Sequence, residues 1–156
     1  MKCPCGLTNT FENCCYKIIN GKPATTAEQL MRSRYSAYVT NNAQYLFDTY
    51  ADTSRKETSV ADIAQWAKQC KWIALSVISA HTNTNSTIVE FSAKYLQKSK
   101  LCLLHEQSRF IKTNGRWYYL DGDIISHKEL SKIKSNNLCP CDSNRKFKKC
   151  CGTNIN

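Results

Sequence analysis

Eight of the chain's ten cysteines fall in two runs, CPCGLTNTFENCC at residues 3–15 and CPCDSNRKFKKCC at 139–151. Both have one spacing: Cys, one residue, Cys, eight residues, Cys-Cys. Segments this short cannot bury enough apolar surface to fold alone, so each needs disulfides or a metal. The opening MKCPCGLTNT has no apolar leader-like stretch, and no apolar run approaches membrane-span length. A cytoplasmic chain is therefore expected, where dense cysteines point to metal rather than disulfides. Redox-active thiols are a further reading, and the absence of a Cys-x-x-Cys pair weighs against it.

The metal reading assigns one site to Cys3, Cys5, Cys14 and Cys15 and a second to Cys139, Cys141, Cys150 and Cys151. Four thiolates close a tetrahedron around zinc, the expected ion at both sites, and the same donors also suit iron. Pro4 and Pro140 fix a turn between the first two ligands of each run. Basic residues beside the second run offset the negative charge of such a site. The formal charge of +10 drops to +6 if each site adds −2, so the chain stays basic, which favours an acidic partner.

Between the clusters the pattern is that of an ordinary core. Leu30, Met31, Arg34, Tyr35 and Tyr38 recur at helical intervals and predict a helix over about 26–41, with Thr25 and Glu28 at capping-box spacing. AQYLFDTYA predicts a short second helix, and Ser59 with Asp62 opens a third ending near Lys71. Period-two alternation follows, with a hairpin signal at NGR between SRFIKT and WYYLDGD. The expected class is α+β, with helices covering one face of an antiparallel sheet. HKELSKIKSNN reads as a linker, with helical character, to the C-terminal cluster.

The cysteine runs resemble the SEC-C motif, named for the metal-binding C-terminus of the SecA translocation ATPase. CPCDSNRKFKKCCG matches it closely, with Cys151 where the SecA tail usually has His. The first run keeps the ligands and lacks the Lys-rich stretch. LMRSRYSAYV and HEQSRFIKTNGRWYYLDGD, flanked by the two runs, resemble the YchJ family. That resemblance implies a central nuclear-transport-factor-2-like cone at 23–127, a SEC-C module at 1–22, and a linker with a second module at 128–156. It implies bound zinc, in some members iron, and contacts with export chaperones or ribosomes. It implies no particular reaction, because this superfamily contains both enzymes and binding modules.

Two functions stay open. The first is a non-enzymatic adaptor near the ribosome, protein export or quality control. Lys146, Lys148 and Lys149 would meet an acidic protein or ribosomal partner, nucleic acid included, and Phe147 would be the apolar anchor. The second is a small-molecule-binding protein or enzyme using the cone. Arg34, His105 and Arg109 are its candidate pocket residues, on the premise that His105, Gln107 and Arg109 face inward. The alternative pairs Arg34 or Arg109 with Glu106 or Asp121 as a buried ion pair. No Ser-His-Asp spacing and no glycine-rich phosphate loop is evident, so the sequence leans away from an enzyme. Trp117, Tyr118 and Tyr119 fit core packing better than base stacking.

Overall fold

The computed structural model describes residues 1–82 and 85–153. A short helix α1 (Cys15–Ile19) grows out of the first cysteine run. Four more follow: α2 (Ala27–Val39), α3 (Ala43–Asp48), α4 (Asp52–Arg55) and α5 (Val60–Gln69). The strands β1 (Lys71–Thr82), β2 (Ser86–Gln97), β3 (Lys100–Thr113) and β4 (Arg116–Lys132) pair in chain order as an antiparallel meander. A 3-10 turn at Phe147–Lys149 lies in the second run.

Local chemistry sets the boundaries. The cap of α2 is Thr26, one residue later than the Thr25–Glu28 spacing suggests: its hydroxyl accepts from the Gln29 N–H at 3.1 Å. Gln29 reaches back and accepts from both the backbone N–H and the hydroxyl of Thr25 at 3.0 Å. Glu28 is thereby freed to pair with Arg32 one turn on, at 2.8 Å. Ser59 caps α5 through the Asp62 N–H, as its spacing indicates. The β3–β4 hairpin turns at Asn114 and Gly115, both at positive φ (50° and 78°), where Asn and Gly are least strained.

Along β2, Thr87, Val89, Phe91, Ala93 and Tyr95 are buried and alternate with more exposed residues. This inner face packs under α2 with Leu30, Met31, Tyr35, Leu75, Phe110 and Trp117. Register shifts within β1–β2 and β3–β4 bend the sheet around the helices. Trp117 is buried in this core and is not available for stacking on bases.

The linker expected from 128 starts later, at 133. β4 runs on to Lys132, pairing Lys128 with Leu103, Glu129 with Cys102 and Lys132 with Lys100. The Lys/Glu-rich stretch has good helix formers, but β3 offers unpaired backbone there, and pairing overrides local propensity. Lys100 and Glu129 add a cross-strand ion pair at 3.1 Å.

Candidate metal centres and cone cavity

The two cysteine runs fold alike. Cys3 N–H donates to Asn9 O in the first, and Cys139 N–H to Arg145 O in the second. Cys14 N–H bonds Phe11 O, and Cys150 N–H bonds Phe147 O. Single bridges, Lys2 with Thr10 and Leu138 with Lys146, close the two loops. The residue after each Cys-Pro-Cys, Gly6 in one and Asp142 in the other, is left-handed, at φ 86° and 58°. Cys14 and Cys150 share an unusual backbone, with φ −127° and ψ −113° against −141° and −115°. That kink lets two adjacent cysteines aim at one point, although neighbouring side chains normally diverge.

The sulfurs of each cluster all lie within 4.8 Å of one another. Sulfurs at the usual Zn–S distance of about 2.3 Å form a tetrahedron with edges of about 3.8 Å. Here Cys5–Cys14 is 3.7 Å, Cys14–Cys15 3.9 Å, Cys141–Cys150 3.4 Å and Cys150–Cys151 4.0 Å. A disulfide needs about 2.05 Å, and all ten cysteines are free. The donor sets fit a four-thiolate ion at both places.

As bare thiols, the members of a cluster oppose one another. A hydrogen bond from Cys15 lowers Cys5 to about 5, while burial pushes Cys14 up to about 11 and the bond to Cys5 raises Cys15 further. A hydrogen bond from Ser143 lowers Cys150 to about 6, and burial pushes Cys151 up. One thiolate forms readily in each cluster, while Cys14 and Cys15 in the first and Cys151 in the second hold their protons. A divalent cation removes that conflict.

The two modules attach differently. Cys3, Cys5 and Cys15 belong to the main core with α2, and Arg32 donates to Cys5 O at 2.8 Å. Cys139, Cys151 and Phe147 pack on Leu96 of β2, beside Ile73, Leu101 and Ile133. Phe147 is therefore 5% exposed and is not a docking anchor. It plugs the module onto the sheet, as its counterpart Phe11 packs on the main core. Lys146, Lys148 and Lys149 are exposed, as is Arg145. The apolar residue presented beside them is Leu138, 68% exposed and bridged to Lys146, which the sequence reading passed over.

A cavity of about 100 Å³ opens between the sheet and the helices, lined by Arg34, Tyr38, Tyr50, Trp72, Glu106 and Tyr119 among others. Arg34 is there as expected, but His105 and Arg109 are not. They lie on the outer sheet face, where His105 contacts Glu90 at 2.7 Å and Arg109 pairs with Asp121 and Asp123. Strand alternation puts Glu106, Ser108 and Phe110 inside instead. Phe110 is the one large aromatic side chain of this set and signals which face is the core. Nor is Arg34 in an ion pair among the described residues. Its Nη1 donates to Leu46 O at 2.7 Å and Thr49 Oγ1 at 2.6 Å, and its guanidinium carbon lies 4.6 and 4.7 Å from the Tyr50 and Tyr119 ring centres. Glu106 Oε1 accepts from Ser108 at 2.8 Å and Tyr119 at 3.2 Å. Burial, reinforced by Glu106, pushes the Tyr119 hydroxyl up, so it stays protonated and donates.

Comparison with known proteins agrees with this architecture. The family model described as "YchJ, middle NTF2-like domain" matches residues 26–122, and the SEC-C motif matches 136–153. A UPF0225 protein of Photorhabdus laumondii is 44% identical over 155 residues, covering 96% of this chain and 98% of its own. One from Vibrio parahaemolyticus is 38% identical over 164 residues, with the same coverage. The solution structure of a SEC-C motif containing protein from Rhodopseudomonas palustris superposes with a TM-score of 0.76 at 29% identity, over 81% of this chain and 100% of that one. The crystal structure of another from Psychrobacter arcticus gives 0.69 at 29%, over 98% and 96%. With a YchJ-type NTF2-like middle domain, a SEC-C motif and a second cysteine cluster of the same geometry, the chain belongs to the UPF0225 family.

Proposed function

We propose that the protein is a zinc-carrying adaptor whose C-terminal module docks on an acidic macromolecular surface. The observation that carries this reading is a set of exposed cations on a short loop tied down by four thiolate donors. Arg145, Lys146, Lys148 and Lys149 project around the cluster, and none pairs with a carboxylate among the described residues. The loop is fixed from behind by Phe147 and carries Leu138 at its edge. Rigid placement lowers the ordering cost of binding, and the cations steer an acidic partner in. The N-terminal module offers no cation in its equivalent loop, Thr8 to Asn13, and serves as a structural brace for α2. Zinc is the ion this reading assigns to both sites, because it closes four-thiolate structural sites without redox chemistry.

The test is charge reversal of Lys146, Lys148 and Lys149 together, followed by affinity capture from lysate and identification of what is retained. Metal content should stay at about two equivalents, since no ligand is touched, while partner recovery should collapse. A ribosomal or RNA partner would show steep salt dependence, from counterion release; an acidic protein would show mainly slower association. Unchanged capture would refute the docking assignment, and iron in place of zinc by elemental analysis would refute the metal.

A further inference from the structure

We propose that the cone cavity binds a small uncharged aromatic molecule whose ring bears a hydrogen-bond acceptor and donor side by side, as a carboxamide does. This inference is independent of the metal modules and their partner. Its basis is two opposite charges that line one cavity yet are held apart. Among the described residues no carboxylate lies within ion-pair distance of Arg34 and no cation within that distance of Glu106. Each is fixed where it is. Arg34 is tied to Leu46 O and Thr49 and sits against the Tyr50 and Tyr119 rings. Glu106 is held by Ser108 and Tyr119.

Each also has unused capacity. Only Nη1 of Arg34 and only Oε1 of Glu106 hydrogen-bond within the protein among the described residues. Trp72 lines the same cavity with its ring, while its indole N–H is closed off from the space. A buried polar group without a partner is costly, so surplus donors and a surplus acceptor around one space define what would fill it well. The ligand must accept from Arg34 and donate to Glu106. The remaining lining is mainly aromatic, including Tyr35, Tyr38, Trp66 and Phe91, which favours a flat ring.

Charge and size narrow the class. An anion would be repelled by Glu106 and a cation by Arg34, so a single charge gains at one end and loses at the other. A zwitterion must desolvate two charges to enter a mainly aromatic space. An apolar cavity of roughly 150 Å³ holds benzene. The space here, about 100 Å³, takes the polar group and part of a ring, and Trp66, 42% exposed, can cover the rest.

The experiment titrates the full-length, metal-loaded protein with benzamide, benzoate, benzylammonium and phenylglycine, followed by tryptophan fluorescence and NMR shifts. Benzamide should bind saturably and at least tenfold more tightly than the other three. Glu106→Gln keeps the shape and removes the charge, and Arg34→Lys keeps the positive charge and removes the unused guanidinium donors. Each should weaken benzamide roughly three- to tenfold, the value of one hydrogen bond. No saturable response to benzamide would overturn the proposal, as would equal or tighter binding of a charged analogue or the zwitterion. If either variant fails to fold, the ranking on the unaltered protein decides the question.

Discussion

Gly122→Ala tests how the cavity is built. Gly122 lies opposite Ser108 across the β3–β4 pair. A methyl group there would overlap Glu106 Oε1 and lie 3.0 Å from its Cδ and 3.1 Å from the Tyr119 hydroxyl. The obstacle is the far end of a side chain, so the backbone need not move. What must give is the pair of hydrogen bonds that Oε1 accepts from Ser108 and Tyr119. Bonds to a charged acceptor contribute about 1.5–3 kcal/mol each, and the carboxylate recovers part of that by turning toward the open space of the cavity. The expected loss is about 2–4 kcal/mol. At this chain length each kcal/mol shifts the melting midpoint by roughly 2–4 °C, so a fall of about 5–12 °C is expected.

The assay is thermal and urea unfolding of four proteins: the unaltered chain, Gly122→Ala, Glu106→Ala and the double variant. With Glu106 truncated the methyl meets only the Tyr119 hydroxyl, at 3.1 Å, which a shift of a few tenths of an ångström relieves, and the cost of Gly122→Ala should fall to within about 1 kcal/mol of zero. The cycle should therefore show a coupling above about 1 kcal/mol. Additive effects of the two changes would show that Gly122 does not hold space for the carboxylate, and the fixed position argued for Glu106 would fail with it.

Other expectations follow from the modules. Protein purified without added metal should carry about two equivalents, and none in a reduced, folded sample would refute both sites. Metal affinity should fall with acidity: at pH 7 bare Cys14 and Cys15 are protonated, so loading the first site releases at least two protons, about a hundredfold in affinity per pH unit. The slope should steepen below about pH 5, where Cys5 also protonates; pH-stat titration reads this directly, and a flat profile would contradict it. Phe147→Ala should cost about 3–5 kcal/mol locally, seen as fast amide exchange in 135–153 and easier loss of the second metal. If it weakened partner capture with the module intact, Phe147 would be an anchor after all.

How much of this the sequence carried can be argued from particular residues. The ligand sets were legible because metal geometry is encoded in spacing, and the three main helices and the NGR hairpin because caps, turns and periodicity are local. The fate of residues 128–132 was not, since Lys and Glu favour a helix until the unpaired edge of β3 is present. The facing of β3 was ambiguous at His105 and Arg109, because residues 105–109 are polar on both faces and Phe110 and Ile111 follow one on each; the larger, aromatic Phe110 is the one that is buried. Phe147, set among lysines, looked like a surface anchor because its burial depends on Leu96, some 50 residues away.

One motif used twice sits in two different settings, and the proposed roles differ with them. The ligand spacing and backbone kink are common to both copies, so the metal-binding capacity is duplicated. The flanking residues are not. Around the first cluster Cys3, Cys5 and Cys15 merge with α2, and Arg32 is tied to Cys5 O; the metal there would stabilise the helix that carries Arg34 into the cavity. Around the second, contact is confined to the ends of β1, β2 and β3 and to Ile133, and the loop's outer side is cationic. Loss of the first metal should thus be felt in the cavity, and loss of the second mainly at the proposed docking surface. Cys14→Ser and Cys150→Ser, equivalent changes at equivalent ligands, separate the two. The first should disturb the Trp72 environment and lower the melting midpoint of the whole domain, whereas the second should leave both nearly unchanged while disordering 135–153. Identical effects from the two would mean that the modules are not divided in this way.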